Sequence, residues 1–259
     1  MIPRVVIHAG FHKTGTSSIQ AALKANHPRL AAHVQVLLKP QLTALLHAAR
    51  GYSTWRDPLT LAKFTSRAET LVAGLSGLKQ RPLILSAEEL SGHMPGRAGI
   101  DDYSAAPELM ADLTAAILRR FPRAEIRLVY STRSAESWLR SAHWEHVKSS
   151  SLTDDLATFS ARLAGAADLN AAAETVAARI APLPVTCLPL ERSDDPVAAL
   201  LQQAGVDPAL SATLTPAKHR NAARPDALDD LLEINRTIAN RDQRRELKQA
   251  RLRRKAPQT

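Results

Sequence analysis

The sequence lacks the features that would tie it to an oxidising compartment or to a membrane. Among its 259 residues there is a single cysteine, Cys187, which cannot form an internal disulfide. No apolar run approaches the roughly 20 residues that a bilayer-spanning helix requires. A secretory signal is not indicated either, because polar residues return early, at His12 and Lys13. We therefore expect a cytoplasmic protein without a membrane span.

Aromatic residues are scarce, at 4%, and the 25 acidic residues are outnumbered by 34 basic ones, which gives a net charge of +9. Most of this excess lies at the C-terminal end, where segment 236–259 holds nine basic residues and two acidic ones. That segment contains no aromatic side chain on which a base could stack, so no specific nucleic-acid site is predicted. Two interpretations of this segment remain: it is a solvated helix end, or it is a tail that binds a polyanion.

The distribution of apolar residues predicts an α/β fold. Four short, continuously apolar runs are typical of strands that are covered on both faces, at 4–9, 82–86, 126–131 and 184–190. Helical stretches alternate with them, at 16–26, 107–121, 134–148, 156–180, 196–204 and 226–253. We expect a mainly parallel sheet flanked by helices, in a single domain over 1–259. A helical insertion is predicted at about 30–80, and a basic C-terminal helix and tail at about 226–259.

The first predicted strand runs directly into a short polar loop and then a helix. This arrangement brings backbone N–H groups and a helix N-terminus to one point, which attracts a phosphate or sulfate group. Lys13 adds a mobile positive charge, and Gly15 lets the backbone approach a ligand closely. Hydroxyl donors are predicted at Thr14, Thr16 and Ser17. The loop is not a Walker A motif, because in that motif the lysine follows the second glycine.

The order Lys13-Thr14-Gly15-Thr16-Ser17 resembles the 5′-phosphosulfate loop of sulfotransferases that use 3′-phosphoadenosine 5′-phosphosulfate (PAPS). The longer pattern H-x-G-x-H-K-T-G-T-[ST]-[ST]-x-Q, from His8 onwards, is similar to bacterial members of that family. The resemblance covers about residues 4–150, with weaker similarity to about 225. It implies a P-loop NTPase-like sulfotransferase fold, PAPS as the sulfuryl donor, and 3′-phosphoadenosine 5′-phosphate (PAP) as the product. Lys13 would then stabilise the leaving group.

A second motif follows the third predicted strand. Arg133 ends that strand, and Ser141 lies eight residues later in a predicted helix. If Ser134 caps the helix, Ser141 lies two turns along the same face, so Arg133 and Ser141 converge on one ligand group. This spacing resembles the 3′-phosphate site of PAPS-dependent enzymes. The family often has Asn-Pro or Asp-Pro after the arginine, whereas this chain has Ser134-Ala135. A surface ion pair of Arg133 with Glu136 is the alternative.

Sulfuryl transfer also needs a group that accepts the proton of the acceptor. Glu88 and Glu89 follow the second predicted strand, at the sheet edge where α/β proteins bind ligands. The resemblance points to this place as well, because carbohydrate sulfotransferases have a glutamate there, whereas cytosolic small-molecule enzymes use a histidine. We predict Glu88 as the base, with Glu89, His93 and His47 as alternatives.

Three further predictions concern single residues. The resemblance implies a basic loop that closes over the nucleotide, with Lys218 or Arg220 contacting the 3′-phosphate. His8, inside the first strand, is expected to be buried and hydrogen-bonded, and His12 in the loop is expected to have a supporting role. No metal site is predicted.

The function predicted from these motifs is transfer of a sulfuryl group from PAPS to a hydroxyl or amine of a small-molecule or carbohydrate acceptor. Two other functions stay open. One is an ATP-dependent kinase of a small molecule, for which Glu88 would serve near Mg²⁺. The other is a non-catalytic polyanion-binding protein that uses the basic tail. The sequence indicates neither the identity of the acceptor nor the oligomeric state.

Overall fold

The central sheet is built from five parallel strands. A computed structural model describes residues 3–78, 80–216 and 224–254. Its strands are β1 (Arg4–His8), β2 (Gln35–Leu37), β3 (Leu83–Ser86), β4 (Glu125–Thr132) and β5 (Val185–Pro189). They lie in the order β2-β3-β1-β4-β5, and every pairing is parallel. The expected α/β fold with a parallel sheet is confirmed. The register pairs Ile7 with both Leu85 and Leu128, so the first predicted strand is central.

Helices cover both faces of this sheet. In the described residues they are α1 (Thr16–Ala25), α2 (His27–Leu30), α3 (Lys39–Trp55), α4 (Pro58–Ala73), α5 (Ala106–Arg120), α6 (Ala135–Ser149), α7 (Leu156–Arg162), α8 (Leu169–Ile180), α9 (Pro196–Gln203), α10 (Pro208–Ser211), α11 (Pro225–Thr237) and α12 (Arg241–Arg253). Across the described ranges, no helix is both long enough and apolar enough to cross a bilayer.

The side chains of β1 alternate between two hydrophobic cores, one on each face of the sheet. Val5 and Ile7 belong to the core shared with α3, α4, α5 and α8, whereas Val6 belongs to the core shared with α1 and α9. Successive side chains of a strand point to opposite faces, so a continuously apolar strand needs cover on both sides. The strands predicted from apolar runs are apolar because helices cover both faces of the sheet.

Three predicted elements differ from the structure. The insertion at 30–80 is not wholly helical, since it contributes β2 at the sheet edge. The single helix expected at 156–180 is divided into α7 and α8, because Asp168 caps α8 by accepting the N–H of Ala171 at 2.9 Å. The helix expected at 226–253 is likewise divided, because Asn240 caps α12. Both divisions occur at Asp or Asn residues, which favour N-caps over helix interiors.

The carboxyl ends of the central strands are tied together by His8. Its ring lies 2.8 Å from the Ser86 hydroxyl of β3 and 2.9 Å from the Ser131 hydroxyl of β4. Burial lowers the pKa of His8 to about 4, and the opposing charge of Glu88 does not offset it, so the ring is neutral at pH 7. The prediction of a buried, hydrogen-bonded His8 is confirmed, and the edge from which the functional loops leave is held together by it.

Candidate functional site

The loop between β1 and α1 is shaped by backbone conformations of positive φ. Gly10 has φ 49°, Lys13 has φ 67° and Gly15 has φ 87°. A Cβ on Gly15 would lie 2.9 Å from a methyl carbon of Leu190, so both the dihedral angle and the packing require glycine there. Residues 13–17 form the end of this loop and the first residues of α1, so their N–H groups lie close together in the chain. None of these five groups has an acceptor among the described residues, which is the arrangement that binds anions.

The loop hydroxyls are not equivalent. Thr14 is buried and donates to the carbonyl of Phe11 at 2.6 Å, so its proton stabilises the loop itself. This differs from the expectation of a ligand donor at Thr14. Thr16 and Ser17 lie at the start of α1 and line a large cavity, of about 1230 Å³, at the carboxyl ends of the central strands.

Lys13 lines this cavity, but its ammonium group is paired. Its Nζ lies 2.9 Å from Oε2 of Glu145 on α6, and the same oxygen accepts a hydrogen bond of 2.7 Å from Lys148. Burial alone would raise the pKa of Glu145, but hydrogen bonds from Lys148 and Lys13 lower it below its usual range. A charged carboxylate therefore holds Lys13 in the protein without ligand. Sequence analysis missed Glu145, because a pairing across 132 residues leaves no local pattern.

Arg133 extends from the end of β4 toward the loop. Its Nη1 donates to the carbonyl of Lys13 at 3.2 Å, and its Nε donates to the hydroxyl of Ser137 at 2.7 Å. The alternative ion pair with Glu136 is absent from the described residues, where Glu136 pairs instead with Arg140. Arg133 and Ser141 both line the same cavity as Lys13. The two sequence motifs thus meet in one cavity.

Glu88 lies on the cavity wall, where both of its oxygens are hydrogen-bonded. Oε1 accepts from Lys39 Nζ at 2.6 Å, and Oε2 accepts from Gln20 Nε2 at 2.9 Å. Burial raises the pKa of Glu88, but the charge that His12 carries below about pH 4, together with the charge and the hydrogen bond of Lys39, outweighs burial and lowers the pKa to about 2. Glu88 is therefore an anion at pH 7. Sequence analysis missed Lys39, which lies on α3 inside the insertion.

The alternatives to Glu88 occupy different places. His93 and Glu89 line the cavity, whereas His47 is exposed on α3 and does not. Glu89 is paired with Lys39 at 3.0 Å. Burial, with Arg97 and Arg50 nearby, lowers the pKa of His93 to about 4, so its ring is neutral at pH 7. Among the predicted histidine alternatives, the cavity wall therefore includes His93 and excludes His47.

His12 is held by two aromatic residues. Its backbone N–H donates to the Tyr103 hydroxyl at 3.1 Å, and its carbonyl accepts from Trp138 Nε1 at 2.9 Å. Burial raises the pKa of Tyr103, which keeps the phenol protonated, and its hydroxyl lies 3.3 Å from Nδ1 of His12. Burial also lowers the pKa of His12 to about 4, despite the opposing charge of Glu88. The His12 ring is therefore neutral at pH 7 and carries one proton, on Nδ1 or on Nε2.

Two predicted contacts, Lys218 and Arg220, lie outside the described residues. The basic C-terminal segment is described up to residue 254, and several of its cations have partners within the fold. Lys248 is buried and donates to the carbonyls of Val147 and Ser150, both at 2.6 Å, at the C-terminal end of α6. Arg251 pairs with Asp230. In the described ranges, no group of three or more His, Cys, Asp or Glu residues is arranged to hold a metal ion.

The comparison with protein-family models agrees with the resemblance seen in the sequence. The family model described as "Sulfotransferase domain" matches residues 5–180. A crystal structure of a sulfotransferase from Alicyclobacillus acidocaldarius aligns over 99% of this chain and 97% of that chain, with 16% sequence identity and a TM-score of 0.45. No curated protein matches the chain.

Proposed function

The chain belongs to the sulfotransferase-domain family, and we propose that it transfers a sulfuryl group from PAPS to a hydroxyl or amine of a small-molecule or carbohydrate acceptor. The observation that carries this proposal is the convergence of two anion-binding elements on one cavity. The N–H groups of residues 13–17 have no acceptor among the described residues, and the guanidinium of Arg133 lies beside the same loop, where it donates to the carbonyl of Lys13. A nucleotide with a 5′-phosphosulfate and a 3′-phosphate carries two anionic groups, one for each of these elements.

The residues present fit such a donor. The turn at 13–17 offers backbone donors and Lys13 to the phosphosulfate, and Thr16 and Ser17 add hydroxyl groups. Arg133, supported by Ser137, and Ser141 on the next helix are proposed to bind the 3′-phosphate. When bound, PAPS supplies the sulfuryl group on a phosphate leaving group. Lys218 and Arg220 stay predicted contacts to the 3′-phosphate.

In the transfer, a bond forms between sulfur and the acceptor oxygen or nitrogen, and the bond between sulfur and the phosphate oxygen breaks. Lys13 leaves Glu145 and stabilises the negative charge that develops on the leaving oxygen. In this proposal the neutral ring of His12 carries its proton on Nε2 and donates a hydrogen bond from there to a sulfuryl oxygen. The proton of the acceptor passes to Glu88. The chain's contribution is mainly positioning and charge stabilisation, as in phosphoryl transfer.

We assign the base to Glu88 because it is ionised at pH 7, lies on the cavity wall and is held in place by Lys39 and Gln20. Its low pKa makes it a weak base, so it can take the proton only once the forming bond to sulfur has made the acceptor strongly acidic. His93 is the rival, since its neutral ring lines the same cavity.

Substitutions at the two candidate bases, Glu88 and His93, distinguish between their roles. Glu88→Gln keeps the shape and removes the basicity, so we expect turnover to fall about 10²-fold, while the affinity for PAP is unchanged. His93→Gln is expected to lower turnover much less. Initial rates with labelled PAPS and an acceptor found by screening measure both, with His47→Gln as a control on the exposed face of α3. A larger loss in His93→Gln than in Glu88→Gln would move the base to His93.

Glu145 should limit the affinity of the site for anions, because its carboxylate is bound to Lys13. In Glu145→Gln, that negative charge is gone and Lys13 is free for the ligand, so we expect PAP to bind several-fold more tightly at low salt. Isothermal titration calorimetry checks this. Glu136→Gln, a change on the exposed face of the same helix, is the matched control. Weaker PAP binding in Glu145→Gln would show that the carboxylate supports the loop instead.

The proposed donor is tested directly by thermal unfolding. We expect PAP to raise the melting temperature without Mg²⁺, and ATP with Mg²⁺ to have little effect. Stabilisation by ATP with Mg²⁺, and none by PAP, would instead favour an ATP-dependent kinase.

A further inference from the structure

One part of the cavity wall is not used by the proposed donor. It is formed by α3 and by the loop that follows β3, and it carries Arg50, His93, Met94 and Arg97. We call these four residues the acceptor wall. Glu88, the proposed base, lies on the same cavity beside Lys39. An acceptor that presents its nucleophile to Glu88 therefore meets the acceptor wall.

The position of Arg97 is set by a tight turn. The N–H of Gly96 donates to the carbonyl of Ile100 at 2.8 Å, and the N–H of Ile100 donates to the carbonyl of Arg97 at 3.0 Å. Gly96 has φ 101°, and a Cβ there would lie 2.7 Å from Nε2 of His146. The same nitrogen of His146 is 2.7 Å from the carbonyl of Pro95. Because Ile100 and His146 are buried, this turn presents Arg97 to the cavity from a packed base.

The guanidinium of Arg97 has no acidic partner within ion-pair distance among residues 3–78, 80–216 and 224–254. Arg50 has only a long contact of 3.8 Å with Glu89, whose carboxylate also binds Lys39 at 3.0 Å. Burial, and then the charges of Arg97 and Arg50, lower the pKa of His93 to about 4, which agrees with two guanidinium groups near that ring. Within the described ranges, the charge of Arg97 is therefore not neutralised by an acidic side chain, and that of Arg50 is only loosely paired.

We propose that the acceptor is an anion: the molecule that receives the sulfuryl group also bears a carboxylate, sulfate or phosphate group, which Arg97 and Arg50 bind. This inference rests on the proposed function. Guanidinium groups bind such anions through paired, charge-assisted hydrogen bonds. A neutral acceptor would leave both groups with water and would gain nothing from their place beside the proposed base. The charge of the acceptor, in addition to its hydroxyl or amine, then determines which molecules are sulfated.

The test uses two pairs of compounds that differ in charge at one position. They are glucuronate with glucose, and 4-hydroxybenzoate with its methyl ester. Dissociation constants are measured by ligand-observed NMR on the full chain, with and without saturating PAP. We expect the charged member of at least one pair to bind about tenfold to hundredfold more tightly, as a charge-assisted contact provides. Arg97→Gln should reduce this preference to about threefold or less, Arg50→Gln should reduce it partly, and Arg97→Lys should retain part of it.

Arg119→Gln, on the exposed face of α5, is the matched control and should keep the preference. Thermal unfolding of each variant shows whether it is folded. Equal binding within both pairs, binding of neither charged compound, or a preference that survives in Arg97→Gln and in Arg50→Gln would each overturn the inference. If Arg97→Gln loses affinity for PAPS and keeps the preference for charged compounds, Arg97 belongs to the donor-binding site. That result would also overturn the inference. PAP binding that persists in these cases leaves the proposed function standing, whereas absence of PAP binding to the unmutated protein counts against the function itself.

Discussion

Lys13→Ala is expected to lower the turnover number about 10²- to 10³-fold, while the affinity for PAP falls only slightly. The reason is that, in the proposed mechanism, the ammonium group acts mainly on charge that develops on the leaving oxygen, whereas its partner in this structure is Glu145. Removing one such donor in other enzymes costs a loss of this size. Interactions that strengthen in the transition state affect turnover more than ground-state binding. Single-turnover rates with labelled PAPS, together with calorimetry of PAP, measure the two effects separately.

The backbone of Lys13 adds a second requirement, because its φ of 67° is left-handed. Alanine is strained there, whereas asparagine tolerates that region. Lys13→Asn therefore removes the charge with little strain, and we expect it to be as slow as Lys13→Ala. Lys24→Ala, on the exposed side of α1, is the control for a general change of charge. If Lys13→Asn turns over normally, Lys13 has no part in the mechanism.

Arg133→Ala is expected to weaken binding of PAP about tenfold to hundredfold and to leave binding of AMP within about twofold. AMP lacks the 3′-phosphate, so a contact to that group affects only PAP. A charge-assisted bidentate contact contributes about 1.5–3 kcal/mol. Calorimetric titration of both nucleotides into the same protein gives the two changes side by side.

Arg133 also donates to the carbonyl of Lys13, so its loss is able to disturb the loop. Arg133→Lys separates the two roles, because lysine keeps the charge but not the planar fork, and it should bind PAP at an intermediate level. Arg140→Ala, an exposed change on α6, should alter neither nucleotide. Equal losses for PAP and AMP in Arg133→Ala would mean that Arg133 serves the fold rather than the 3′-phosphate.

Sequence patterns predicted four of the five strands, including the half-buried edge strand β5, and missed β2. β1, β3 and β4 are continuously apolar because helices cover both of their sides. β2 has only three residues, and its short apolar run, Val36-Leu37-Leu38, stands directly before the helical pattern of α3, so it was read as part of a helical insertion. Asp168 and Asn240 are residue types that favour helix N-caps. The helix-forming residues around them nevertheless led to the prediction of one continuous helix in each case.

The partners of the site residues were beyond the reach of local patterns. Glu145 meets Lys13 across 132 residues, and Lys39 meets Glu88 across 49. Such pairs depend on where α6 and α3 pack, which no spacing along the chain records. They matter because they determine which charges are free in the cavity and which are already paired.

By itself, the sequence determined the α/β class, and it supplied the proposed anion-binding loop at 13–17 and the candidates Arg133, Ser141 and Glu88. It did so because these features depend on neighbouring residues, whose spacing sets which backbone groups and side chains lie at a strand end. Only the tertiary structure decided that the two motifs share one cavity, that His93 but not His47 lines it, and that Glu88 is held as an anion by Lys39. These outcomes depend on burial and on contacts between distant elements, which arise only when the helices pack against the sheet.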